Sequence, residues 1–156
     1  MVGHGSEGLE LSSLQDLYQQ VILDHYRRPR NKSPLESATH TLTLNNPLCG
    51  DVIDLMLRLE GDRIAAVHFE GKGCSISQAS ASMMSGVLKG RTVPEALQVM
   101  DTFTRMLHGD AAAAVDTDLG DLRALAGVAK FPVRVKCALL AWNCLDELVG
   151  PDTSDS

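Results

Sequence analysis

Three cysteines and an aspartate stand in contexts that suit metal and sulfur chemistry: Cys49 and Asp51 in Pro47-Leu48-Cys49-Gly50-Asp51, Cys74 in Gly71-Lys72-Gly73-Cys74, and Cys137 in Arg134-Val135-Lys136-Cys137. Thiolates joined by one carboxylate can close a tetrahedral site for zinc or form the edge of an iron–sulfur cluster. In an extended or tightly turned Cys49-Gly50-Asp51, residues two apart project the same way, and Gly50 permits backbone angles that bring both side chains to one ion. Cys74 follows glycines at an expected strand-to-helix junction, where backbone N–H groups and the helix N-terminus favour a thiolate over a thiol. Cys137 falls near the start of the last expected helix, and the four groups converge if that end packs against both loops. Residue by residue, blander readings stand beside this one. A single buried cysteine is ordinary, Asp51 alone reads as a turn residue, and the spacings are not those of a short CxxC pair.

The remaining candidates are weaker. Cys144 is seven residues past Cys137, so on a continuous helix its backbone lies about 10 Å further along, too far to share one ion. With Val133, Leu140, Ala141, Leu145 and Leu148 nearby, it reads as a small buried hydrophobe. None of the five histidines has a ligand-like spacing: His4 is in the N-terminal arm, His40 and His108 are at expected element ends, and His25 and His68 read as solvated or hydrogen-bonded. Arg27, Arg28 and Arg30 read as a solvated face or docking surface. His68-Phe69-Glu70 matches half of a zinc deaminase signature, but no Pro-Cys-x-x-Cys follows it, which sets that class aside.

The elements that must position the quartet follow from periodicity. Leu14, Leu17, Tyr18, Val21 and Ile22 have helical spacing over roughly residues 13–28, with Ser12 or Ser13 as cap and Pro29 and Pro34 beyond the end. Thr41 to Asn45 is β-prone, and Ile53, Leu55, Leu57 and Leu59 alternate with polar or exposed positions as in a half-buried strand. Glu60-Gly61-Asp62-Arg63 is a hairpin turn, and the return strand, about Ile64 to Glu70, puts Ala65, Val67 and Phe69 on one face. Such a three-stranded antiparallel meander needs helices on its apolar side. They are expected at Ser75 to Lys89, rich in small residues that pack closely; from Thr92 to Leu107, opened by a Thr92/Glu95 capping box; as a short helix over Leu119 to Ala126; and at Val133 to Val149.

The chain has 156 residues, 44% of them hydrophobic, and suits one domain with a core that needs no disulfides. A formal charge of −6 leaves no basic footprint for nucleic acid, and no apolar run is long enough to span a bilayer. We divide it into a flexible N-terminal arm over 1–11, a single domain over 12–150 and a polar C-terminal tail over 151–156. The start lacks the charged and apolar regions of a secretory signal, so a cytoplasmic, reducing location is expected, where cysteines serve metal or catalysis.

Together, Asn46-Pro47-Leu48-Cys49-Gly50-Asp51, Gly71-Lys72-Gly73-Cys74-Ser75-Ile76-Ser77 and Arg134-Val135-Lys136-Cys137-Ala138 resemble the U-type iron–sulfur cluster assembly proteins, related to the N-terminal domain of NifU, over about residues 12–149. The resemblance implies an α+β fold, a small three-stranded antiparallel sheet covered by about five helices, in agreement with the pattern above. It also implies that Cys49, Asp51, Cys74 and Cys137 are the functional set. IscU-type members carry histidine immediately before the third cysteine, where this chain has Lys136, and the 62 residues between Cys74 and Cys137 exceed the IscU-type gap. Both departures point to the SufU branch, whose members resemble zinc-dependent acceptors of persulfide sulfur from a SufS-like cysteine desulfurase, upstream of the cluster assembly machinery. On that likeness Zn²⁺ is the cofactor and Cys49 the acceptor, leaving the metal as a desulfurase group, histidine by likeness, takes its place. Lys72, Arg134 and Lys136 offset the anionic site or are merely solvated. The rival readings are a scaffold that builds a transient iron–sulfur cluster on the same ligands, and a structural zinc module.

Overall fold

A computed structural model describes residues 2–47 and 49–151, with side chains from residue 15 onward. The elements run α1 (Val2–Arg27), β1 (His40–Asn46), β2 (Asp51–Glu60), β3 (Arg63–Lys72), α2 (Ser75–Leu88), α3 (Val93–Leu107), a 3₁₀ turn (Ala113–Val115), a 3₁₀ segment (Thr117–Lys130) and α4 (Pro132–Val149). The strands form the expected antiparallel meander in the order β1-β2-β3. Ile53, Leu55 and Leu57 alternate along β2 and are fully buried, which fixes the face that the helices cover.

On β3 the expected face is corrected. The register passes from Arg58↔Ala66 to Leu59↔Ile64, so Ala65 is the extra residue of a bulge, and Ile64 joins Val67 and Phe69 in the core instead.

Helix α2 is the central element, buried along most of its length with α1, α4 and β3 around it. Its small residues permit that closeness, and its buried hydroxyls are satisfied. Ser80 donates to the Ala138 carbonyl at 2.6 Å and accepts from Trp142 Nε1 at 3.1 Å, which ties α2 to α4. Trp142 in turn packs against Phe103 of α3, with ring centroids 5.0 Å apart. The Thr92/Glu95 capping box forms as expected, with Pro94 in the first turn of α3.

Two further expectations change. Helix α1 begins at Val2, so Ser12 and Ser13 lie within a helix rather than capping it, and the backbone of residues 2–11, expected as an arm, is helical. The short helix expected over 119–126 is part of the 3₁₀ segment, broken at Gly120 (φ 54°, ψ −129°). Met1 and residues 152–156 of the expected tail lie outside the described residues. Among those described, no helix is long and apolar enough to cross a membrane.

Candidate metal centre

Three parts of the fold deliver the quartet: the β1–β2 connection, the β3–α2 junction and the start of α4. Strands β1 and β2 stay paired up to Asn46↔Asp51, so Cys49 and Gly50 stand just before β2. The Asn46 carbonyl accepts the N–H groups of Cys49 at 3.2 Å and Gly50 at 2.8 Å, and Gly50 makes the turn at φ +71°. Cys49 is thereby half-buried in the loop, while Asp51, the first residue of β2, is fully buried. Cys74 is the N-cap residue of α2 but makes no side-chain cap. Asp51 serves that end instead: its Oδ1 accepts the Cys74 N–H at 2.8 Å, with its charge at the favourable end of the helix dipole.

That approach depends on Gly73. It sits at φ +153°, and a Cβ there would lie 2.2 Å from Asp51 Oδ1. Cys137, in the second turn of α4, brings its sulfur 3.3 Å from that of Cys49.

One donor atom each from Cys49, Asp51 and Cys137 lies within 4.8 Å of the others. Cys74 stands outside that mutual group and reaches it through Asp51, with Sγ 3.7 Å from Oδ2. Cys49, Cys74 and Cys137 nevertheless line one cavity of about 210 Å³, together with Val133 and Arg134. In a tetrahedron with zinc–sulfur bonds near 2.3 Å, ligand atoms are about 3.8 Å apart. The 3.3 and 3.7 Å separations are close to that edge, and all four cysteines are free thiols. Three soft sulfurs and one oxygen suit zinc or iron rather than magnesium or calcium. These residues fit the metal expected of them.

Burial pushes the Cys137 thiol well above its usual range, and its hydrogen bonds with Cys49 and Asp51 and the neighbouring charge of Cys74 add to the shift. A metal ion must therefore displace a proton there, so binding strengthens as pH rises. Lys72, Arg134 and Lys136 are all exposed, and only Arg134 lines the cavity.

A family model described as the NifU-like N terminal domain matches residues 17–138. The chain belongs to the NifU-like N-terminal domain family. It is 46% identical over 141 residues to the zinc-dependent sulfurtransferase SufU of Bacillus subtilis (strain 168), covering 90% of this chain and 95% of that one. It is 44% identical over 141 residues to the iron–sulfur cluster assembly scaffold protein IscU of Streptococcus pyogenes serotype M1, covering 90% and 87%. Among solved structures it resembles a candidate scaffold for the SUF system from Fervidobacterium islandicum AW-1, with a TM-score of 0.76, 34% identity, and coverage of 83% of this chain and 93% of that one. The α+β fold is thus that of its NifU-like relatives.

The other sequence candidates in this NifU-like domain are placed apart from the centre. Cys144 is fully buried, its thiol 3.9 Å from the Ile53 carbonyl. His25 bridges Ser82 at 2.7 Å and Asp121 at 2.9 Å; His68 bonds Ser33, His40 bonds Thr39, and His108 bonds the Thr104 carbonyl. The side chain of His4 lies outside the described residues. Arg30 and Arg28 face Asp24 at 2.6 and 4.0 Å, and the Arg30 hydrogen bond holds that carboxyl below its usual range. Two contributors to the site were not singled out beforehand. The Asn46 side chain donates to Cys49 Sγ at 3.6 Å, and Val133 forms part of the cavity wall. A signal for Asn46 existed: an Asn opening a turn bonds its own loop.

Proposed function

We propose that this chain is a zinc-dependent sulfur acceptor of iron–sulfur cluster assembly, taking persulfide sulfur from a SufS-like cysteine desulfurase onto Cys49. The observation that carries the reading is the convergence of three thiols from separate elements on one cavity, with the buried Asp51 carboxylate beside them. The name of the Bacillus subtilis relative supports it, as does Lys136 at the position where scaffold-type members are expected to carry histidine. Cys49, Asp51, Cys74 and Cys137 would hold the ion, whose charge keeps coordinated thiols deprotonated at neutral pH.

Cys49 is the nucleophile. Its thiolate attacks the outer sulfur of the donor persulfide; the donor's S–S bond breaks, its electron pair leaves on the donor cysteine, and Cys49 carries the new persulfide. Likeness to SufU-type members selects Cys49, and its place in a loop supports the choice, since Cys74 and Cys137 are built into the starts of α2 and α4. Asp51 holds its place through the Cys74 N–H. Residues 12–150 act as the working domain, with 1–11 and 151–156 as appendages, in the cytoplasm and upstream of the cluster assembly machinery.

A second reading draws support from the Streptococcus pyogenes relative named as a scaffold: a transient iron–sulfur cluster assembled on the same four ligands. Anaerobic purification with zinc and iron analysis separates the two, combined with cysteine-dependent sulfide release by the desulfurase in the presence of wild type or Cys49→Ser. Bound zinc with Cys49-dependent stimulation supports sulfur transfer. Stable cluster loading without stimulation supports the scaffold.

A further inference from the structure

An apolar groove of about 760 Å³ lies beside the thiol cavity. Tyr18 and Ile22 of α1 form one wall, and Ile76, Val128 and Phe131 contribute from α2 and the approach to α4. Arg134 lines both the groove and the thiol cavity, so the two are neighbours that share one wall. At the junction, Phe131 and Val133 are 58% and 61% exposed, unusually open for large apolar side chains.

The charges in the groove have one sign. Among the described residues, Lys130 and Arg134 are the two charged side chains that line it, in a chain of formal charge −6. Neither has an ion-pair partner among the described residues. A small ligand would need to be mostly enclosed, whereas Phe131 and Val133 project outward as contacts for another protein surface do.

We infer that this groove docks the sulfur-donor protein through a segment that places apolar side chains between α1 and the approach to α4 and carboxylates against Lys130 and Arg134. The inference rests on the sulfur-acceptor reading, for which it names how the donor is held. Because Arg134 is common to both, a segment docked in the groove lies next to the cavity that Cys49 lines, the proximity that any direct sulfur transfer requires. Apolar anchors supply the affinity, while the cationic rim supplies orientation and a salt-dependent association rate.

The test is the double variant Gln19→Glu/Lys130→Glu, two exposed positions in the groove wall away from the thiols. Binding of the zinc-loaded, full-length protein to its own organism's cysteine desulfurase is measured at low and high salt, alongside sedimentation of each protein alone. The expected result is binding weakened at least about tenfold at low salt, with a smaller salt dependence than wild type. Equal binding of variant and wild type overturns the proposal, as does failure of wild type to bind the desulfurase. Self-association of wild type that the variant abolishes, with donor binding unchanged, also overturns it by making a second copy the occupant. Loading of Cys49 by glutathione persulfide is followed in parallel. Weakened docking without sulfur ever reaching Cys49 would uphold the groove and sink the acceptor reading; normal Cys49 loading with unaltered docking would do the reverse.

Discussion

At Gly73 a single added methyl group should damage both the fold and the metal site. Alanine there would adopt φ +153° and put its Cβ 2.2 Å from Asp51 Oδ1 and 2.8 Å from Ser77 Oγ. The backbone conformation costs about 1–3 kcal/mol in a residue with a side chain. The carboxylate must also move, losing its charge-assisted hydrogen bond from Cys74 N–H, worth about 1.5–3 kcal/mol. Gly73→Ala should therefore destabilise the zinc-free protein by about 3–6 kcal/mol, a large part of a typical domain's stability. With one ligand displaced, zinc affinity should fall roughly 10- to 100-fold. Gly61→Ala isolates the backbone contribution, because Gly61 sits at φ +62° with nothing within 4 Å of the added carbon. That control should lose about 1–2 kcal/mol and no zinc affinity. Urea unfolding of both zinc-free variants and zinc competition against a colorimetric chelator provide the comparison. If Gly73→Ala binds zinc like wild type, or if Gly61→Ala loses as much affinity, the role given to the Asp51–Gly73 approach is wrong.

The remaining expectations test the core around the centre. Burial pushes the Cys144 thiol up from 9.0 to about 12, so the native protein keeps a proton that the unfolded chain releases. The stability this contributes is complete below about pH 9 and is lost as pH rises toward 12; the urea midpoint of zinc-free protein should fall across that window, and less steeply in Cys144→Ala. The same variant should retain full zinc stoichiometry by metal analysis, since the Cys144 thiol faces the Ile53 carbonyl and does not line the cavity that the other three cysteines share. His25→Ala removes a buried bridge between Ser82 and Asp121 and should cost about 2–4 kcal/mol by urea denaturation without altering zinc content. Asp121→Ala, whose side chain is 60% exposed, should cost less than about 1 kcal/mol in the same assay.

Much of this molecule is legible in its residues. The alternation Ile53, Leu55, Leu57 chooses the buried face of β2, and Gly61-Asp62 sets the hairpin. The Thr92/Glu95 pair opens α3 as its types dictate. The site is legible for a different reason, because three separate motifs each place a cysteine at a loop or helix start. Their convergence is a tertiary fact that spacing alone does not supply. The bulge at Ala65 has no mark in the alternation, because a period of two assumes an uninterrupted register. The 3₁₀ segment left a trace that helical reasoning passed over: Leu119, Leu122, Leu125 and Val128 recur every third residue, the period of a 3₁₀ helix, and all are buried. The groove could not be read in advance, since its walls come from α1, α2, the 3₁₀ segment and α4.

In the proposed transfer Cys49 receives the sulfur while Asp51, Cys74 and Cys137 keep the metal. Its most direct test is peptide mass spectrometry of the zinc-loaded wild-type protein after brief reaction with the desulfurase and cysteine, with thiols and persulfides trapped by alkylation and zinc measured on the same sample. One added sulfur is expected on the Cys49 peptide, with Cys74 and Cys137 unmodified and zinc still bound. Sulfur found first on Cys137 or Cys74, or transfer that proceeds undiminished in Cys49→Ser, would contradict it.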